Sequence, residues 1–490
     1  MIWERLRPWT WCEWTLAGIF FLTLPLVNPY IRGDGNEYFA YVRSLVVDGD
    51  LNFENEYRRG DPLFRQAAFD ENGNVVDATL SDHTLGRLPT GYLKNNAAIG
   101  SSLLWMPAFL AAHVATKLLN AAGVQVLADG YSAPYRWACG LETALFSFIG
   151  LFLSFRVACR LTDSRTALLA TVGIWFASSL PVYMYFLPFH VPAMTSFTVA
   201  LFVWYWWRTS EGRSVKQWAI WGALAGLTIT MYASSAVFLV MAMADLAWRA
   251  NDGGLIHCRD AAKRKTILIA GIVFVIAAVA VLTPQFIIKS ILHGAPFDLG
   301  VRRAVHWFAP SLWAVGFSRE HGLFSWTPIL LPAVIGLCLY WRQDRWRASV
   351  LLTVVGLFYY LAAIHGDWSG GSSFGNRFFV SFTSVFVIGL AIGLHHAGAW
   401  LRRGGFTRPI PLQAAVFAAM IAWNVGFIFQ WGTNLVPNRG PVDFGVVARN
   451  QFTVVPQKMA SFVKRYFISR SELTNEIEME DVQERSKQRR

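Results

Sequence analysis

The chain has 490 residues, of which 54% are hydrophobic and only 15% charged, with a formal net charge of +12. A soluble chain usually carries about 25% charged residues, and apolar runs near the ~20 residues that cross a bilayer recur throughout. This composition excludes a set of soluble domains and predicts an all-α polytopic membrane protein. The positive charge is no nucleic-acid signal, because the basic residues sit in short loops between apolar segments, as the positive-inside bias expects.

The first element is an apolar stretch from about Trp14 to Tyr30, preceded by Arg5 and Arg7. No small-x-small cleavage site follows it, so it reads as an uncleaved first span. Directly after it comes Asp34-Gly-Asn-Glu37-Tyr-Phe-Ala-Tyr41-Val-Arg43-Ser44-Leu-Val-Val-Asp48-Gly-Asp50. On a helix, Asp34, Glu37, Tyr41, Ser44 and Asp48 share one face, and Phe39, Val42, Leu45 and Val46 form an apolar stripe. That pattern predicts a helix on a membrane surface with carboxylates beside the headgroups, where one of them can serve as a general base.

The segment 31–98 is long and acidic, with eleven Asp or Glu against seven Lys or Arg. Asn72-Gly73 within it predicts a hairpin turn. Asp48-Gly-Asp50-Leu-Asn52 mimics the start of a calcium loop but lacks Gly at the sixth position and Glu at the twelfth.

Further apolar segments lie near 99–119, 134–159, 167–186, 194–207, 218–246, 266–292, 323–340, 349–364, 378–399 and 412–431, about eleven in all with the first. The N-terminus and the basic loops 208–217, 247–265, 341–348 and 401–408 read as cytoplasmic. Segments 31–98, 187–193, 293–322 and 365–377 then face outward. Segment 218–246 begins and ends inside, which predicts a bent or re-entrant hairpin turning near Tyr232 to Ser235. Arg160 and Arg165 also suggest an inside loop, which requires that 99–119 or 134–159 does not cross fully. Residues 1–431 thus form a membrane core with 31–98 as its first outward loop. Residues 432–490 form a polar tail, interfacial over 456–468 and disordered over 471–490.

Six of the ten His residues fall on the outward face (His83, His190, His293, His306, His321, His365), as do Arg302, Arg303 and Arg319. No HxxxH or HExxH spacing is present, so a metal signal is weak. The five cysteines suggest neither a disulfide framework nor a zinc site. No Walker A loop, GxGxxG fingerprint or GxSxG elbow occurs, which argues against a nucleotide-driven pump or a serine hydrolase. The stretch His365-Gly-Asp367-Trp368-Ser-Gly370-Gly371-Ser-Ser-Phe374-Gly375-Asn376-Arg377 has glycines that permit a tight backbone near a ligand and ends in a guanidinium suited to clamping a phosphate.

The run from Asp34 to Leu51 after a first span resembles polytopic GT-C superfamily glycosyltransferases, the class that includes protein O-mannosyltransferases. Leu93 through Leu110, with Gly100-Ser-Ser-Leu-Leu-Trp-Met-Pro107, is similar to the opening of that family's next hydrophobic region. Gly322-Leu-Phe-Ser-Trp-Thr-Pro328 resembles a recurrent turn into a later span. Trp368 through Arg377 resembles a glycine-rich pattern of bacterial members, with Asn376 where Pro is usual. The resemblance covers about residues 10–430. It implies an inverting transferase that moves a sugar from a polyprenyl-phosphate donor to a lipid, glycan or protein acceptor, on the periplasmic face of a bacterial inner membrane. It implies Asp34 as the catalytic acid position, with Glu37 matching a neighbouring acid at a different spacing. Arg377 is the first choice for the donor phosphate, with Arg58, Arg59, Lys94, Arg302 and His321 behind it; Tyr41, Asp48, His365 and Asp367 complete the candidate binding residues. No cofactor is called for, and a divalent cation stays open. Two other readings remain: a transporter or flippase of a lipid-linked sugar, with ionisable residues near mid-membrane, and a membrane scaffold.

Overall fold

The computed structural model describes residues 9–60, 87–251, 261–297 and 304–488. The hairpin expected at Asn72-Gly73 and the candidate Arg302 lie outside them. Among the described residues the chain is helical without strands, apart from isolated bridges at Arg87–Leu93 and Val305–His365. Six helical stretches are long and apolar enough to cross a membrane, compatible with a multi-pass helical membrane protein.

Helix α1 (Trp11–Thr23) starts from a capping box in which the Thr10 hydroxyl accepts from the Glu13 amide and the Glu13 carboxylate accepts from the Thr10 amide at 2.7 Å. Two short helices, α2 (Gly35–Arg43) and α3 (Glu54–Arg59), occupy the first connection. Then come α4 (Gly100–Ala121), α5 (Ala133–Ala158), α6 (Ser164–Ala177), α7 (Val191–Arg208), α8 (Val215–Met231), α9 (Leu239–Asn251) and α10 (Ala261–His293). The chain breaks between α8 and α9 at Tyr232, where the backbone is extended, in the place that the basic flanks of 218–246 predict. Short α11 (Leu312–Phe317) and α12 (Leu323–Trp326) lead into α13 (Leu330–Tyr340), α14 (Arg345–Ile364), α15 (Thr383–Arg403) and α16 (Pro409–Gly432).

Small residues let these helices approach closely. A Cβ added at Gly222 or Gly226 of α8 would collide with the carbonyls of Phe274 and Ala278 on α10. One at Gly336 of α13 would collide with the Gly389 carbonyl on α15. Both contacts are backbone against backbone, so helix-interior glycine, costly for propensity, is offset by packing.

The charged loops gather at two poles. At one pole Glu13 pairs with Arg156 at 3.0 Å and Arg165 stacks over Trp11. There too Asp245 binds Arg213 and Arg249 at 2.7 Å, and Ser210 receives hydrogen bonds from Arg249 and Arg347. Arg213 lies over Trp218 and Trp221 at 4.6 and 4.1 Å, cation–π contacts that partly replace its hydration. The opposite pole carries α2, α3 and the segment 365–377.

Helix α4 does not carry the chain between the poles. The Ser102 hydroxyl near its start bonds the Tyr38 carbonyl, and Phe39 packs on Trp105 and Phe109. After α4 the chain returns at once to α2 and α3: the Asp129 carbonyl accepts from Arg43 at 3.1 Å and its carboxylate from Arg59 at 2.7 Å. Helix α5 then runs from here to Arg156, beside Glu13. Arg160 and Arg165 thus lie at the pole of the α1 start.

The tail departs from expectation. Residues 471–490 read as disordered, yet α17 (Phe444–Thr453) and α18 (Val455–Ile468) are followed by α19 (Arg470–Gln488). Leu473, Thr474 and Glu478 are buried along one face of α19. The polar sequence of α19 hid an i, i+4 stripe that docks on the pole of α2.

Candidate functional site

Gly33 adopts a φ of 51°, a left-handed conformation that glycine takes without a Cβ clash. It turns the chain into α2 and sets Asp34 at the N-terminus of that helix, where the carboxylate makes no cap bond. Instead Asp34 Oδ2 accepts from Arg377 Nη1 at 2.7 Å, although 343 residues separate the two. The Asp34 side chain is 42% exposed and that of Arg377 is 18% exposed, so the carboxylate is the partner more open to the outside.

Arg377 is held by the loop before it. Gly370, Gly371 and Gly375 have φ of 74°, 67° and 59°. The Ser373 hydroxyl donates to the Gly375 carbonyl at 2.8 Å and the Asn376 amide to the Trp368 carbonyl at 3.1 Å. A Cβ at Gly375 would lie 2.8 Å from Ser179 Oγ, so the loop is closed onto the end of α6. The side-chain amide of Asn376 thus supplies one of the loop's bonds.

One helical turn beyond Asp34, Glu37 is buried and its Oε1 has no hydrogen-bond partner. Burial, aided by the charge of Asp34, pushes its carboxyl up to about 8, against the pull of Lys289, Lys94 and the Asn96 amide. At neutral pH Glu37 is therefore mostly protonated. Asn95 ties this corner together: its side chain donates to the Glu37 carbonyl at 2.9 Å and its own carbonyl accepts from Lys289 at 2.8 Å.

Two buried histidines flank the ion pair. His190 Nε2 donates to the Arg32 carbonyl at 3.1 Å, and burial pushes its pKa down to about 4 despite Asp34. His321 has a φ of 52°, uncommon for a side-chain-bearing residue. Its Nδ1 donates to the Ser369 carbonyl at 3.0 Å, which leaves Nε2 as the acceptor, and burial lowers its pKa to about 4. Both rings are neutral at pH 7 and act as hydrogen-bonding groups, not as cations. Tyr38, Tyr183 and Tyr232 stand close enough to act electrostatically on Arg377.

The structure thus brings Asp34, Glu37, Lys94, His321, Asp367 and Arg377 into one neighbourhood. His365 lies at its edge, bridged by its backbone to Val305, with Nδ1 accepting from the Asp367 amide at 3.2 Å. Other candidates belong to a network beneath it. Tyr41 is buried with its hydroxyl donating to the Ala97 carbonyl at 3.2 Å. Asp48 pairs with Arg43 and accepts from Asn55, Arg58 pairs with Glu54, and Arg59 pairs with Asp129. These contacts join α2, α3 and the entry to α5. Sequence reasoning passed over Tyr38, Tyr183, Asn95 and Lys289 as site members, because a single tyrosine, asparagine or lysine carries no local sign of what it faces. Among the described residues no group of three His, Cys, Asp or Glu is arranged to hold a metal ion. No protein-family model matches the chain, and no curated protein matches it.

Proposed function

We propose that the protein is an inverting glycosyltransferase that moves a sugar from a polyprenyl-phosphate donor to an acceptor hydroxyl. The observation that carries this reading is the Asp34–Arg377 pair, a carboxylate and a guanidinium held at 2.7 Å at one pole. Arg377 has five N–H donors, so one edge holds Asp34 while another takes the donor phosphate. Asp34 accepts the proton of the acceptor hydroxyl as its oxygen attacks the anomeric carbon, the displacement that a single base supports. The bond from that carbon to the phosphate oxygen breaks, and the electron pair leaves with the lipid phosphate. The charge of Arg377 stabilises that leaving group in place of protonation. Protonated Glu37 and neutral His321 offer a hydrogen-bond donor and an acceptor for sugar hydroxyls. An apolar groove of about 420 Å³, lined by Pro328, Val416, Met420 and Trp423, suits an isoprenoid tail. On this reading the Asp34 pole faces the periplasm from a bacterial inner membrane.

The test is transfer of radiolabelled sugar from a panel of polyprenyl-phosphate sugars by wild type and by Asp34→Asn. Transfer by wild type that falls on the order of 10²-fold or more in the variant, with donor binding kept, is the expected result. Equal transfer by both proteins removes Asp34 from the mechanism.

A further inference from the structure

The two loops that carry Asp34 and Arg377 are both fastened by residues between Arg439 and Glu478. On the Asp34 side, Glu478 of α19 is buried and pairs with Arg32 at 2.9 Å. Arg470 donates to the carbonyls of Val27 and, at 2.8 Å, of Pro25, and its guanidinium lies over the Tyr466 ring at 4.2 Å. The Tyr466 hydroxyl donates to the Leu26 carbonyl at 2.7 Å. Every carbonyl so engaged belongs to the connection between α1 and Gly33. On the Arg377 side, Arg439 Nε donates to Ser372 Oγ at 2.6 Å, and the Val442 amide donates to the Arg319 carbonyl at 3.2 Å, two residues before His321.

Arg32 is pinned at both ends. Its side chain is held by Glu478 and its carbonyl by His190. The next residue, Gly33, is the left-handed joint, and the one after it is Asp34. A shift of Arg32 therefore moves the carboxylate directly.

Resting on the transferase reading above, we infer that the C-terminal segment is a positioning element of the site, with Glu478 acting through Arg32 on Asp34 and Arg439 acting through Ser372 on the Arg377 loop. Neither residue touches the reacting atoms. Their contribution is alignment, which is felt in kcat more than in donor affinity.

The experiment uses the full chain in detergent with Glu478→Arg, the exchange pair Arg32→Glu with Glu478→Arg, and Arg439→Ala. Sugar transfer is measured as kcat and KM, and chymotrypsin cleavage within 466–479, whose aromatic, Leu and Met sites the substitutions leave unchanged, is followed in parallel. Positioning predicts a fall in kcat on the order of 10- to 100-fold in Glu478→Arg with KM nearly constant. It also predicts faster tail cleavage in that variant and recovery of both readouts in the exchange pair. Unchanged kcat in Glu478→Arg, or lost kcat that the exchange does not recover while cleavage returns to the wild-type rate, overturns the proposal. If wild type transfers no sugar, the transferase reading fails and takes the catalytic role of the tail with it. Docking of the tail is then decided by chymotrypsin alone: equal cleavage in wild type and Glu478→Arg overturns it.

Discussion

Glu37→Gln isolates the most perturbed carboxyl at the site. Glu37 is 6% exposed and its carboxyl is pushed to about 8 from an ordinary 4.5. A raised carboxyl favours the fold while it is protonated, so its contribution is intact below pH 4.5 and is lost as the pH climbs through 8. The gap corresponds to ~5 kcal/mol in all, of which ~3 kcal/mol is already lost at pH 7. Glutamine keeps the shape and cannot ionise. The stability of wild type relative to Glu37→Gln should thus fall steadily from pH 5 to pH 9, read by thermal or denaturant unfolding of both proteins in the same micelles. The charge of Asp34 is the second largest cause of the shift, so Asp34→Asn should move the midpoint of this loss to lower pH. A constant stability gap between wild type and Glu37→Gln across that range would refute the buried, protonated state of Glu37.

Arg377→Met should abolish transfer while costing only on the order of 1–2 kcal/mol of stability, less than a fully buried pair, because Asp34 is 42% exposed; a melting series with the transfer assay separates the two effects. Arg377→Lys keeps the charge and loses the fork, and should recover stability better than turnover. Gly375→Ala should destabilise by about 1–2 kcal/mol from its left-handed φ. Adding Ser179→Ala should relieve the further clash at Ser179 Oγ without removing that strain, as unfolding of single and double variants will show. Gly336→Ala should cost about 1–3 kcal/mol or prevent folding, since its Cβ meets the backbone of α15, and detergent-resistant monodisperse protein is the readout.

The membrane character and the basic loops were legible because composition and charge placement act over whole segments. The break at Tyr232 was legible because the 29 residues of 218–246 carry basic flanks at both ends. The position of α4 was legible only as one of two alternatives, since its hydropathy equals that of a span; its contacts with Tyr38 and Phe39 show it lying along α2. Asp34 and Arg377 were each conspicuous in sequence, but nothing local says that they meet across 343 residues. Lys289 and Asn95 were hidden because their partner is a backbone carbonyl, which has no sequence signature. The docking of α19 escaped because a polar helix with two ion pairs reads as a solvated tail until Arg32 is seen opposite Glu478.

The Arg32–Glu478 pair joins the connection after α1 to α19, an element made much later in the chain. On a ribosome adding roughly 5–20 residues per second, on the order of 20–90 s pass between the synthesis of one partner and the other. For all of that time the loop with Asp34 has emerged without its anchor. A growing chain therefore holds the Asp34 loop without this pair until α19 is made, and a chain that stops before Glu478 leaves Arg32 without that partner.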